Sequence, residues 1–134
     1  MKKIFFVILL VNLITSCEKY DECIIPVIGV YDAHIVGHYG PFSMAISEDY
    51  GDNISIDAPW LYEEWHVIEA DIDGCSDYEN YESNKMDIYI SKQKLGDGIY
   101  IKGRGFYSEG SIQIDYTVYD YGEKHHFTLI GTKH

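Results

Sequence analysis

The stretch that decides the fold is Ser111-Ile112-Gln113-Ile114-Asp115-Tyr116-Thr117-Val118, in which polar and apolar side chains alternate without a break. One face carries Ile112, Ile114, Tyr116 and Val118, and the other carries the four polar residues between them. A two-residue period is typical of a β-strand with one buried and one solvated face. The stretch therefore predicts a half-buried strand.

The runs on either side of this strand behave in the same way. Residues 99–107 precede it across Ser108-Glu109-Gly110, and residues 127–132 follow it across Tyr121-Gly122-Glu123. Links this short join antiparallel neighbours. We therefore predict that the C-terminal third is a three-stranded meander.

Further strands are predicted toward the N-terminus. A first strand covers 27–39, and Met44 marks a second. Residues 54–56 mark a third strand that Pro59 ends, because proline cannot donate to a ladder. Residues 60–64 fit either a short helical turn or a loop. The remaining predictions are a strand at 65–72, a polar loop at 73–85, a strand at 86–90 and a turn at 95–98.

The total of about eight strands, with no amphipathic helix, predicts an all-β domain over residues 27–134. A single antiparallel meander of this length closes into a β-barrel without exposed edges. The alternative is a two-sheet β-sandwich.

The N-terminus has the pattern of a secretory signal peptide. Lys2 and Lys3 precede an apolar run, 4–14, that is shorter than the ~20 residues of a membrane span. Ile14-Thr15-Ser16-Cys17 resembles the lipobox of bacterial lipoproteins. The resemblance implies cleavage after residue 16 and a lipid anchor on Cys17. The alternative is an ordinary signal peptide with an incidental cysteine.

Residues 17–26 are then predicted to be a lipidated N-terminus and tether. The acidic stretch 18–22 loosely resembles the export signal of surface lipoproteins of Bacteroidetes. This predicts an envelope protein anchored to the outer membrane of a Gram-negative bacterium, and leaves open whether it faces the periplasm or the outside.

Two stretches resemble small lipocalin-like (calycin) lipoproteins of Bacteroidetes. Residues 110–118 and 127–133 are similar to the end of those proteins, and Gly29-Val30-Tyr31 looks like their glycine-x-aromatic opening. Tyr31 stands where true lipocalins carry tryptophan. The resemblance implies a lipocalin-like β-barrel.

The charge excludes some partners. The chain carries 10 Lys+Arg against 22 Asp+Glu, a net charge of −12. Along the sequence no cluster of basic residues interleaves with aromatics, so nucleic acid is not an expected partner, since phosphate binding depends on basic groups. The expected partners are the membrane, through the lipid on Cys17, and a small molecule or a protein.

The other two cysteines, Cys23 and Cys75, are predicted to form a disulfide, because paired thiols are favoured beyond the cytoplasmic membrane. Two separate thiols are the alternative. The bridge would close a loop of about fifty residues and contribute about 4 kcal/mol on the chain-entropy model.

Metal and cofactor sites are not expected. Asp71, Asp73 and Asp77 form a weak calcium candidate, but Cys75 stands at a ligand position and Ser76 replaces the turn glycine of a calcium loop. His34 and His38 are ~13 Å apart along one strand face, too far to share a metal.

Trp60, Tyr62 and Trp65 form an aromatic cluster that would bind a ring at the barrel mouth. The alternative is that the two tryptophans cap the barrel end. Since no nucleophile motif is present, we predict a non-enzymatic protein that binds a small apolar or glycan-like ligand or a protein partner. The alternative is a structural or inhibitory protein with a fully packed barrel, which inward crowding by Phe42, Met44, Tyr116 and Phe127 would favour.

Overall fold

The computed structural model describes residues 22–73 and 85–134. A 3₁₀-helix, Glu22–Val27, precedes eight strands. The strands are β1 (Gly29–Ile35), β2 (Tyr39–Glu48), β3 (Asn53–Leu61), β4 (Glu64–Asp73), β5 (Lys85–Gly96), β6 (Ile99–Ser108), β7 (Ser111–Asp120) and β8 (Glu123–Lys133).

The strands form a closed antiparallel barrel in the order β1 to β8. Each strand pairs with its neighbour in sequence, and β1 closes the barrel by pairing with β8, where Ala33 lies opposite Gly131. The predicted meander and barrel are confirmed, and the two-sheet sandwich is excluded because this pairing leaves no sheet edge at β1 or β8.

The apolar residues whose alternation predicted the strands also fill the interior of the barrel. On β7 the inward residues Ile112, Ile114, Tyr116 and Val118 are at most 2% exposed. Inward residues of the other strands include many isoleucines, together with Tyr31, Met44 and Trp60. The core is therefore a packed hydrophobic cluster that runs through the barrel.

The helix Glu22–Val27 closes one barrel end, where a tether was expected. Ile24 and Val27 are fully buried. The Tyr31 hydroxyl donates to the Val27 carbonyl at 2.5 Å, and Lys133 Nζ donates to the Pro26 carbonyl at 2.8 Å. Ile24 belongs to the core because its apolar side chain covers this end of the barrel.

Pro59 does not end β3, contrary to the prediction. β3 pairs with β2 only as far as Asp57, and its pairing with β4 is irregular between Ala58 and Leu61. Pro59 lies within that irregular segment, where no ladder donor is required. Residues 60–64, left open between helical turn and loop, are the end of β3, a two-residue turn and the start of β4.

Candidate functional site

The end of the barrel opposite the helix holds the tight turns β1–β2, β3–β4, β5–β6 and β7–β8; we call it the mouth. A recess of about 180 Å³ opens there. Its lining residues are Ile35, His38, Tyr39, Trp60, Tyr62, Glu63, Tyr116 and Phe127. Typical small-molecule pockets measure ~300–1,000 Å³. The recess therefore has room for a single ring or side chain.

Three aromatic rings form the inner part of the recess. Trp60 is fully buried, and its ring meets Tyr116 edge-on at 5.0 Å between centroids. Tyr116 stacks on Phe127 at 5.2 Å. The indole Nε1 of Trp60 donates to the Ile56 carbonyl at 3.4 Å, which fixes the ring against its own strand. Such edge and stacked contacts are the favoured aromatic geometries.

The Tyr116 hydroxyl is buried and has no hydrogen-bond partner within residues 22–73 and 85–134. Burial raises the pKa of this phenol, so the group stays protonated at neutral pH and can donate. A buried hydroxyl without a partner costs about 1–3 kcal/mol. Tyr116 is among the residues that line the recess.

The outer part of the recess is built on a strained turn. Tyr62 and Glu63 are the two central residues of the β3–β4 hairpin, with φ of 46° and 76°. Both residues lie in the left-handed backbone region, which residues other than glycine rarely adopt. The other two-residue hairpins place Gly98, Gly110 and Gly122 at the second position. Here that position carries a carboxylate, and the turn places Tyr62 and Glu63 at the recess.

The structure places two of the three residues of the predicted aromatic cluster at the recess. Trp60 and Tyr62 line the recess, and the Tyr62 ring meets Phe127 at 6.2 Å. Trp65 does not line it; its ring lies against Phe42 at 5.7 Å and is 46% exposed. Trp65 is out of phase with the inward residues Ile68 and Ala70 of β4. The alternation within the strand therefore contained the signal that excludes it.

Sequence reasoning missed His38 and Tyr39 as recess residues. His38 meets Phe127 edge-on at 5.1 Å, and Tyr39 stacks on Phe42 at 5.6 Å. His38 ends the β1–β2 turn and Tyr39 begins β2, both far from Phe127 in sequence, and only the pairing of β1 with β8 brings them into one recess with Phe127. No local sequence pattern shows that His38 and Tyr39 lie in the same recess as Phe127.

The weak calcium candidate falls on another part of the surface. Asp71 and Asp73 lie on the outer face of β4, beside a depression of about 660 Å³ that Asp52, Asp87 and Arg104 also line. Asp77 lies outside the described residues. Within 22–73 and 85–134, no group of three or more His, Cys, Asp or Glu residues could hold a metal ion.

Two further predictions fall mainly outside the described residues. Cys17 and Cys75 are not among them, so lipidation and the Cys23–Cys75 bridge stay predictions. Cys23 lies in the helix at the closed end, and the ends of the β4–β5 connection, Asp73 and Lys85, lie at the same end of the barrel. In the part of the chain that the structure describes, no helix has the length and hydrophobicity needed to cross a membrane.

Comparison of the chain with protein-family models, curated proteins and solved structures finds no match.

Proposed function

We propose that this chain is a non-enzymatic envelope lipoprotein, similar to lipocalin-like lipoproteins, that binds one small apolar or glycan-like ring at the barrel mouth. The observation that carries the proposal is that Tyr116 lines an aromatic recess while its buried hydroxyl has no hydrogen-bond partner within residues 22–73 and 85–134. Aromatic faces support ring binding, and one convergent polar group orients the ligand.

The recess geometry limits the ligand. With about 180 Å³ available, one ring enters and a long acyl chain does not. The same space would take a single side chain of a partner protein. In this proposal the lipid on Cys17 holds the domain at the outer membrane, and a Cys23–Cys75 bridge ties the helix at the closed end to the β4–β5 connection.

Native mass spectrometry of the protein purified from its producing cells tests the proposal. We expect additional mass that is lost on denaturation and that identifies the ligand class. The covalent mass would report loss of residues 1–16, acylation of Cys17, and loss of two hydrogens from the remaining cysteines.

Three variants test the location of the ligand. Tyr116→Phe removes only the unpartnered hydroxyl, so the fold is retained while ligand occupancy falls. Tyr62→Ala removes a recess wall and also lowers occupancy. Trp65→Ala is the matched control, because Trp65 lies on Phe42 outside the recess. Equal occupancy in all three variants would contradict a mouth site.

A second function is favoured by the filled interior. Met44 and Tyr116 are buried, and Phe42 and Phe127 pack against the core. This crowding supports a structural or inhibitory envelope protein that acts through its surface. A mass spectrum without bound ligand, unchanged by added sugars or small aromatic compounds, would favour this second function.

A further inference from the structure

Three lysines converge on one tyrosine on the outer face of the barrel. The ammonium groups of Lys92, Lys102 and Lys124 lie 4.8, 5.7 and 5.9 Å from the centre of the Tyr119 ring. The lysines come from β5, β6 and β8, and Tyr119 from β7. All three lysines are exposed. We call this group, together with Arg104, Tyr89 and Tyr100, the basic face.

The basic face continues along the same strands. Lys92 also lies 5.4 Å from the Tyr100 ring, and the Arg104 guanidinium lies 5.9 Å from the Tyr89 ring. Tyr100 and Tyr89 are 38% and 48% exposed. Exposed aromatic rings therefore alternate with cations, an arrangement that the sequence does not reveal because the cations are distributed over three strands, β5, β6 and β8.

Within residues 22–73 and 85–134, the cations of this face form no ion pair, although Arg104 lines a depression together with four aspartates. Asp115 lies opposite Arg104, but its carboxylate accepts from the Thr128 hydroxyl at 2.7 Å. Like charges that converge without a counter-charge repel one another, and an anionic ligand would offset that repulsion.

The size of the face argues against a protein partner held by this face alone. Its width across β5 to β8 is about 14 Å and its length along the strands about 13 Å, from the usual strand spacing and rise. That area is well below the ~800 Å² that each partner buries in a stable protein–protein interface. A ligand of a few rings fits these dimensions.

The surrounding charge argues against nucleic acid. Duplex DNA carries one charge per ~1.7 Å of its axis. A nucleic-acid strand crossing the face would run on past Asp115 toward Asp87, or past Glu123 at the start of β8. In a chain of net charge −12 those carboxylates repel phosphates. A short ligand with few negative charges would stay within the face and avoid this repulsion.

The position of the face argues against lipid headgroups. Tyr119 and Lys124 lie next to the β7–β8 turn at the mouth. The helix Glu22–Val27, which precedes the first strand, lies at the opposite end of the barrel. A lipid anchor at the N-terminus would therefore place the basic face on the side away from the membrane.

We infer that the basic face binds an anionic oligosaccharide that carries carboxylate or sulfate groups. The ammonium and guanidinium groups pair with the anionic substituents, and the exposed faces of Tyr89 and Tyr100 pack against the sugar rings. This site is distinct from the mouth recess, since none of the residues of the basic face lines the recess.

The test measures binding of a chondroitin sulfate oligosaccharide to the full chain by calorimetry. Lys92→Gln, Lys102→Gln and Lys124→Gln are each expected to weaken binding about twofold to threefold, and the triple variant about tenfold, as expected for exposed ion pairs. Lys94→Gln is the matched control, because Lys94 is exposed on β5 but pairs with Asp97 at 3.2 Å. Its affinity should stay close to that of the wild type.

Three results would overturn the inference. A neutral glucose oligomer that binds as tightly would remove the role of charge. An oligothymidylate that binds more tightly would make the ligand a nucleic acid. Absent binding, or an equal loss in Lys94→Gln, would show that no site is built here. Tyr62→Ala should leave this binding unchanged, which separates this inference from the proposed mouth site.

Discussion

The side chain of Gln93 completes the backbone hydrogen bonding of Glu69. Its Oε1 accepts from the Glu69 N–H at 3.0 Å, and its Nε2 donates to the Glu69 carbonyl at 2.8 Å. Backbone pairing of β4 with β5 covers only residues 71–73 and 87–89, and β5 is irregular between Ile90 and Gln93. A carboxamide therefore replaces a missing ladder pair where the two strands diverge.

Replacing Gln93 should weaken the barrel at this point. Gln93→Ala removes the two hydrogen bonds to Glu69 and a third from Nε2 to the Ser91 carbonyl, and we expect the free energy of unfolding to fall by about 1–2 kcal/mol. Gln93→Glu should lower the free energy of unfolding by a similar amount, because a carboxylate cannot donate to the Glu69 carbonyl. Urea denaturation measures the change, and hydrogen exchange at the Glu69 amide should accelerate.

Gln113→Ala is the control for Gln93. Gln113 lies on the outer side of β7 opposite Phe106, with no side-chain hydrogen bond to residues 22–73 or 85–134. If Gln113→Ala destabilises the protein as much as Gln93→Ala does, the bridge to Glu69 contributes nothing specific.

The strained β3–β4 turn gives the second prediction. Glu63 has φ of 76°, and a residue other than glycine in this region costs about 1–2 kcal/mol. Glu63→Gly should therefore raise the free energy of unfolding by about 1 kcal/mol. Gly122→Ala is the reciprocal variant: Gly122 has φ of 89° and no atom within 4 Å of an added Cβ. Gly122→Ala should lower the free energy of unfolding by a similar amount. If Glu63→Gly and Gly122→Ala change it in the same direction, the β3–β4 turn is not strained at Glu63.

The sequence predicted the parts of this structure that depend on neighbours within a strand. The alternation around Tyr116 placed it inside, and short links predicted the meander. The 3₁₀-helix was missed because its only signal is two apolar residues, Ile24 and Val27, whose burial depends on the barrel end that they cover. Pro59 was misinterpreted because local rules do not show where the β3–β4 ladder is irregular.

The candidate sites depend on contacts between distant strands, so less of them was predictable. Trp60, Tyr62 and Trp65 were identified together because they are close in sequence, but only Trp60 and Tyr62 line the recess. The basic face was missed entirely. Lys92, Lys102 and Lys124 meet only because the register of four strands aligns them around Tyr119.

Alkaline pH should destabilise the protein through two buried phenols. Burial raises the pKa of Tyr116, and burial together with the neighbouring Tyr107 raises that of Tyr31. Unfolded tyrosines ionise near pH ~10, so above that pH the unfolded chain releases protons that the folded chain retains. Their contribution to stability is complete below pH ~10 and declines as the pH rises toward the folded pKa values.

Urea midpoints measured from about pH 8 to about pH 11 test this decline. Tyr116→Phe should flatten the alkaline part of the curve, because one of the two buried phenols is removed. Tyr121→Phe is the control, since Tyr121 is 77% exposed. A wild-type curve that stays flat above pH ~10 would contradict the prediction.

Close contact between β6 and β7 gives the last prediction. An added Cβ at Gly103 would lie 2.7 Å from the Asp115 carbonyl oxygen and 2.8 Å from Tyr116 Cβ. Because both atoms belong to β7 and its ladder, they cannot move without shifting Tyr116. Gly103→Ala should therefore cost about 1–3 kcal/mol. At Gly96 the nearest atom is Ile99 Cδ1, at 3.8 Å, so Gly96→Ala should change stability by less than about 0.5 kcal/mol. Equal urea midpoints for the two variants would show that the barrel relaxes around Gly103 and that the contact does not limit packing.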